Sequence, residues 1–250
     1  MSSAVVLTKN EEENIEKCIK SLSFCEEIIV IDDNSIDKTR DLANKLGAKV
    51  YERDMDKDYS AQSNFGMERA SGKWVLFIDA DEFVSEKLSK EIIEVVSEER
   101  GLSGYFIKRV DTIWGKELNF GESGNSKVLR LVKKGSGKWE RRVHPNFNIR
   151  GKTSTLSNLL YHYPHQSVSR FIESVNRWST WHAIANKEEG KESSIFKIIF
   201  MPIGHFVKNF IFRLGFFDGI VGFVFAVIMS FHSFLAWGKL WMLQKGYSKV

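Results

Sequence analysis

The sequence predicts an α/β fold: a mixed, mainly parallel sheet with helices on both faces, followed by an aromatic-rich helical region at the C-terminal end. Three observations predict it. Short apolar runs rich in Val and Ile alternate with helical stretches through the first hundred residues, as strands buried on both faces and joined by crossover helices do. Gly47 and Gly72 stand where two of those helical stretches should stop. From Ile195 to Trp241 apolar and aromatic residues take over, with 11 of the 19 Phe.

In chain order, Ala4–Leu7, Ile28–Ile31, Ala48–Tyr51 and Trp74–Ile78 read as strands, and Glu12–Leu22, Asp37–Leu46 and Ala61–Ala70 as the helices between them. Such crossovers are right-handed, and ligands of open sheets sit outside the carboxyl ends of the strands. A helix is expected near Ser85–Glu98. Gly104–Arg109 and Lys127–Val132 then read as antiparallel or mixed additions to the sheet, 167–188 as a helix, and Asn186–Ser194 as a polar linker. Three parts are expected: 1–100, 101–190 and 191–250.

In the last part, a wheel at about 100° per residue gathers His205, Lys208, Asn209 and Arg213 of Ile203–Leu214 within roughly 140°, which predicts a basic amphipathic helix. Gly219–Trp237 holds 19 residues without Asp, Glu, Lys or Arg. As a helix it measures about 28 Å, close to the roughly 30 Å of bilayer hydrocarbon. Lys208 and Arg213 precede it and Lys239, Lys245 and Lys249 follow it, so no charge asymmetry orients a single crossing. The expectation is interfacial or re-entrant helices with Phe and Trp toward lipid and a cationic rim toward anionic headgroups. Packing against the protein, or a homo-oligomer through these helices, is the alternative.

Composition narrows the class. With 250 residues, 43% hydrophobic, 27% charged, 18 Gly and 3 Pro, the chain is globular rather than disordered or collagenous. Two cysteines, Cys18 and Cys25, exclude a disulfide scaffold. The first strand begins within four residues of Met1, which leaves no room for a signal peptide and predicts a cytosolic-facing protein. Residues 1–100 hold 14 Lys and Arg against 23 Asp and Glu, whereas residues 101–150 hold 11 against 4. An acidic first part and a basic remainder suit a cation site beside an anionic ligand or surface. The basic block Lys127, Arg130, Lys133, Lys134, Lys138, Arg141 and Arg142 has no RNA-recognition signature beside it, so no nucleic-acid partner is expected.

The chemistry should lie at the strand ends, in Thr8-Lys9-Asn10-Glu11-Glu12, Asp32-Asp33-Asn34-Ser35, Asp54-Met55-Asp56-Lys57-Asp58 and Asp79-Ala80-Asp81-Glu82. Carboxylates two residues apart can share a hard divalent cation, which also wants phosphate oxygens. Chance alone gives roughly half a match to Asp-x-Asp at this composition, and the chain holds three. Asp79 and Asp81 directly follow an apolar strand, whereas the 54–58 cluster lies in a polar run, so Asp79/Asp81 is the functional pair.

These segments, with Gln62-Ser63-Asn64 and in this order and spacing, resemble a family 2 glycosyltransferase of the GT-A fold, most specifically over residues 3–83. Leu129-Arg130-Leu131, Trp139, Val143-His144-Pro145 and Leu160-Tyr161-His162-Tyr163 resemble its lipopolysaccharide-core β-glucosyltransferase branch, and Gly215-Phe216-Phe217-Asp218-Gly219 resembles membrane-associated members of that branch. The resemblance implies a nucleotide-sugar-binding part over 1–100, an acceptor-side part over 101–190 and membrane-associated helices over 191–250. It implies that Asp33 meets the uracil of a UDP-sugar, that Thr8 and Glu11 line the base and ribose, that Asp79 holds the ribose, that Asn64 sits near the donor, and that Asn10 and Ala80 belong to the same nucleotide-sugar site. Asp81, with Asp79, would ligate Mg²⁺ or Mn²⁺ on the diphosphate.

Family members of this type invert the anomeric carbon in one displacement, so a group must take the acceptor proton. The branch often reads Val-His-Glu where this chain has Val143-His144-Pro145, and Ser126 stands where an acidic residue is expected before Arg130-Leu131. Glu122 and His144 lead the base candidates, with Asp111 and Glu140 behind. The implied acceptor is lipid-linked or lipopolysaccharide-type, met at the cytosolic membrane face. Alternatives are a polyprenyl-phosphate sugar synthase, whose acceptor is already ionised, and a catalytically silent scaffold.

Overall fold

The computed structural model describes residues 2–56, 58–98, 101–124, 126–142, 145–164 and 167–247. The chain forms two compact units, residues 1–109 with 126–162, and residues 110–125 with 163–250.

The first unit opens with β1 (Ser2–Thr8), α1 (Ile15–Ser21), β2 (Glu27–Asp32), α2 (Thr39–Lys45), β3 (Lys49–Glu52), α3 (Tyr59–Arg69) and β4 (Trp74–Asp79). The four strands are parallel. Their order, β3-β2-β1-β4, runs outward from β1 and then returns to its other side, so right-handed crossovers put α1 and α2 on one face and α3 on the other. Strands β1, β2 and β4 form because nearly every residue in them is buried, whereas β3 at the sheet edge is half-buried to exposed: Val5, Ile29, Ile31, Val75 and Phe77 share a core with Met67, Trp139 and Phe147. Helix α3 comes close to β1 through Gly66, where a Cβ would stand 2.4 Å from Val5 Cγ1.

The sheet continues with antiparallel strands, as the sequence predicts. After β5 (Glu82–Val84) and α4 (Glu86–Ser97) come β6 (Gly104–Ile113), β7 (Lys116–Leu118), β8 (Lys127–Lys133), β9 (Gly137–Glu140), β10 (Asn146–Ile149) and β11 (Thr153–His162). Strand β8 pairs antiparallel with β4 and β6, β11 with β5, and β9 with β10 as a separate hairpin. The full order is β3-β2-β1-β4-β8-β6-β11-β5, with β7 on the far end of β6.

The second unit holds α5 (Val168–Glu188), α6 (Ile195–Phe206) and α7 (Gly219–Gln244). Phe171 and Val175 of α5 pack on Ile228 of α7, with Trp114 and Trp178 around them. Lys239 of α7 is buried, and its ammonium donates to Asn176 O, Asn176 Oδ1, Ser179 Oγ and Thr180 Oγ1 at 2.6–2.9 Å. These neutral oxygens satisfy a charge that would otherwise be costly inside an apolar helix pair.

One expectation is corrected here. Ile203–Leu214 is not a single amphipathic α-helix: α6 ends at Phe206, Val207–Phe212 is a π-helical turn, Leu214 has φ +60°, and Gly215–Asp218 is a 3-10 turn. A wheel at constant angle fails across a π turn. Asn209, placed on the polar arc, is 3% exposed and faces inward. Residues 195–212 and 215–244 are each long and apolar enough to cross a membrane, and no residue of α6 is buried.

Candidate functional site

The register of the parallel strands brings three chain ends side by side: Thr8 lies opposite Asp32, and Leu7 opposite Asp79. The backbone ties them further, since Asp33 N donates to Thr8 O (2.9 Å) and Ala80 N to Leu7 O (3.1 Å). This is the carboxyl edge of the sheet at the point where the strand order reverses, the place where open α/β sheets bind ligands. Thr8, Asn10, Glu11, Asp33, Asp79, Ala80 and Asp81 all lie there.

Each has a definable local reason. Asp32, fully buried, accepts from Ser35 N (2.7 Å) and Ser35 Oγ (2.5 Å) and so shapes the loop after β2. Asn10 takes φ +54°, which asparagine tolerates; its N–H donates to Ser35 Oγ (2.8 Å) and its Oδ1 accepts from Ile36 N (2.9 Å). Glu11 N donates to Thr39 Oγ1 (2.8 Å). The Asp33 carboxylate accepts from Lys9 Nζ (2.7 Å) and Met55 N (2.9 Å). Thr8 Oγ1 is buried with no hydrogen-bond partner among the described residues, a polar atom whose desolvation nothing there offsets. Asn64 stands elsewhere: its amide donates to Trp139 O and accepts from Trp139 N, both 2.9 Å, and so clamps α3 to β9.

Around the acidic pair and Glu82 the structure adds three residues that sequence reasoning did not place in the site, Arg130, Arg109 and His162. Arg130 Nη2 donates to both Asp79 Oδ2 and Glu82 Oε1. Arg109 Nη1 lies 3.4 Å from Glu82 Oε1, and Asp79 N donates to Glu82 Oε2 (3.1 Å). His162 Nε2 lies 3.3 Å from Asp81 Oδ2. Burial alone would raise the Asp81 carboxyl, but His162, with Arg109 behind it, outweighs this and holds it at about 2. Burial keeps Glu82 above its ordinary range, helped by Asp79, although Arg130 and Arg109 face it. Asp79 and Glu82 in turn raise Arg130 against the effect of its own burial. The result is a compact cluster of carboxylates with near-compensating cations.

The profile of glycosyl transferase family 2 matches residues 3–171. The chain belongs to that family. It is a glycosyltransferase with the GT-A fold. A glycosyltransferase of Rickettsia typhi is 31% identical over 252 residues, covering 95% of this chain and 86% of the relative. The lipopolysaccharide core biosynthesis glycosyltransferase LpsC of Rhizobium meliloti is 28% identical over 247 residues, covering 96% and 91%. Among solved structures, Staphylococcus aureus TarS 1–349 superposes with a TM-score of 0.50 at 17% identity, covering 98% of this chain and 91% of that one, a likeness of fold.

Of the two leading base candidates in this family 2 enzyme, His144 lies outside the described residues. Glu122 belongs to the second unit. Its carboxylate oxygen Oε2 lies 3.0 Å from His205 Nε2 and accepts from Asn209 Nδ2 at 3.3 Å. Burial pushes its pKa up, but His205, Arg213 and His232 together bring it below the ordinary value, so Glu122 is ionised at neutral pH.

Proposed function

We propose that the enzyme moves a sugar from a UDP-linked donor to a lipid-linked or lipopolysaccharide-type acceptor, with inversion, at the cytosolic face of a membrane. The observation that carries this reading is the meeting of Asp33, Asp79 and Asp81 at the carboxyl edge of β1, β2 and β4. Asp33 offers carboxylate oxygens to a nucleobase N–H, Thr8 Oγ1 and Glu11 border the base and ribose, and Asp79 with Ala80 adjoins the ribose.

The donor set fits Mg²⁺ or Mn²⁺. Asp79 and Asp81, two residues apart, present hard carboxylate oxygens of the kind these ions take together with phosphate oxygens and water. Asp81, with Asp79, would hold it, and when bound it offsets charge on the departing diphosphate. Arg130 and Arg109, beside the same carboxylates, add positive charge to that end of the sheet.

The acceptor hydroxyl oxygen forms a bond to the anomeric carbon as that carbon's bond to the diphosphate oxygen breaks and the electron pair leaves with UDP. The hydroxyl proton passes to the Glu122 carboxylate, which is ionised and free of any need for prior deprotonation. The exposed apolar face of α6, including Phe196 (67% exposed) and Phe200 (51%), with Lys197 on the helix and Lys208 and Arg213 following it in sequence, supports contact with an anionic lipid surface. That contact would bring the enzyme to a membrane-held acceptor.

Thermal unfolding of the detergent-purified protein with Mn²⁺ and UDP, GDP or CDP tests the donor reading. A metal-dependent rise in Tm for UDP that Asp81→Ala abolishes is expected. No rise with any nucleotide, in protein shown to be folded, overturns it and favours a silent scaffold.

A further inference from the structure

The run Gly215-Phe216-Phe217-Asp218-Gly219 precedes α7, and in the second unit its aspartate does something other than cap that helix. Asp218 is 4% exposed and makes no side-chain hydrogen bond to the first turn of α7. Its two oxygens accept instead from Asn119 N (3.1 Å) and Phe120 N (3.0 Å). The next residue, Gly121, donates its N–H to Arg213 O (2.9 Å). Glu122 then meets His205 and Asn209, and Arg213 Nη1 donates to Asn209 Oδ1 (3.2 Å). Four successive residues, 119–122, are thus each fastened to the segment 205–218.

The turn that supplies these partners is built for close approach. A Cβ at Gly215 would stand 2.7 Å from Asn209 O, and one at Gly222 would stand 2.3 Å from Gly215 O, so larger residues there would push the segment apart. A buried carboxylate is costly unless hydrogen-bonded, and Asp218 is hydrogen-bonded to the loop that carries Glu122. A plain connection between β7 and β8 needs no such arrangement.

We infer that Asp218 and His205 are positioning residues for Glu122: Asp218 fixes the backbone of 119–120, and His205 fixes the carboxylate. This rests on the reading of Glu122 as the group that takes the acceptor proton. A base held by packed partners keeps near-attack geometry that a loose loop loses. The charged and titratable groups facing Glu122 are His205 and Arg213 from the segment before α7 and His232 from α7 itself. Loss of His205 therefore leaves burial less opposed and raises the pH at which Glu122 ionises.

The test uses the full chain in detergent, UDP-glucose as donor probe and deep-rough lipopolysaccharide as acceptor probe, with the Glu122 side chain also titrated by carboxyl ¹³C NMR. Asp218→Asn, which keeps shape but cannot accept both N–H groups, is expected to lower kcat at least tenfold, with donor KM and the Mn²⁺/UDP rise in Tm unchanged. His205→Asn is expected to move the acid limb of kcat and the NMR titration of Glu122 to higher pH, a change that a purely structural role would not produce. Wild-type kcat in Asp218→Asn, or an unmoved Glu122 titration in His205→Asn, overturns the inference while an inactive Glu122→Gln leaves the base reading standing. Full turnover by Glu122→Gln removes both.

Discussion

Arg130 of β8 joins Asp79, the last residue of β4, to Glu82, the first of β5, through one guanidinium nitrogen. Glu82 is completely buried, so the arginine both neutralises a carboxylate that solvent cannot reach and sets the orientation of the acidic pair beside it. Without Arg130, Glu82 keeps the more distant Arg109 (3.4 Å) as its cation, and loss of one partner of a buried pair costs up to about 3–5 kcal/mol. Arg130→Met is expected to lose stability on that scale in urea unfolding. It should also lose the Mn²⁺/UDP rise in Tm, because Asp79 is no longer held. A variant of wild-type stability would show that the carboxylates find other partners.

Glu27 gives the fold a pH dependence separate from the donor site. It begins β2, accepts from Ser3 Oγ (2.7 Å), Ser71 N (2.9 Å) and Ser71 Oγ (3.0 Å), and pairs with Lys49 (2.7 Å). Burial would raise its pKa, but the hydrogen bonds from Lys49, Ser71 and Ser3 outweigh it and bring it to about 2. A carboxyl depressed in the folded state stabilises above its unfolded value and loses that contribution as pH falls toward the folded one. With Lys49 exposed and its pairing screened by solvent, the contribution is about 2 kcal/mol at neutral pH. Urea midpoints should therefore separate wild type from Glu27→Gln at pH 7 and converge between pH 4.5 and 2. A separation constant across that range would show that Glu27 is not depressed.

The parallel half of the sheet was legible because β1, β2 and β4 are buried on both faces and so read as unbroken apolar runs, and because Asp33, Asp79 and Asp81 follow them directly. Strand β11 was not legible: Thr153–His162 opens on the polar run Thr-Ser-Thr, shows no two-residue alternation and has an exposed leading end, which looks like loop until its pairing with β5 is known. The cations of the site share this difficulty. Arg130 and His162 lie 51 and 81 residues from Asp79 and Asp81, and only the pairings of β8 with β4 and of β11 with β5 bring them there. The partners of Glu122 were hidden by the π turn, which rotates Asn209 inward from the polar arc that a regular helix would give it.

Product chemistry separates the two acceptor classes. Transfer to a hydroxyl needs a base and yields an ordinary glycoside, whereas transfer to a lipid phosphate needs none and yields a sugar phosphate. The reading of Glu122 as base predicts a product that survives mild acid and a loss of kcat of at least a hundredfold in Glu122→Gln. Sugar released by mild acid, with Glu122→Gln still active, would reassign the enzyme to phosphate acceptors.

The apolar face of α6 makes the membrane reading quantitative. Ile195, Phe196, Ile199, Phe200 and Ile203 are each at least half exposed, a stripe of five large apolar side chains of the kind that marks an interaction surface. If it lies in the interface, each buried side chain contributes about 1.5–3 kcal/mol of transfer energy, so Phe196→Glu with Phe200→Glu should cut sedimentation with phosphatidylglycerol vesicles by more than a hundredfold. Lys197→Glu should weaken binding to anionic vesicles and leave binding to neutral ones unchanged, since only the headgroup attraction is altered. Because none of the substituted side chains touches Asp33, Asp79 or Asp81, the Mn²⁺/UDP rise in Tm should persist in both variants. Vesicle binding that survives the double substitution would mean that lipid meets another surface, and a concentration-dependent change in mass lost in the same variants would assign the stripe to contact between copies of the chain.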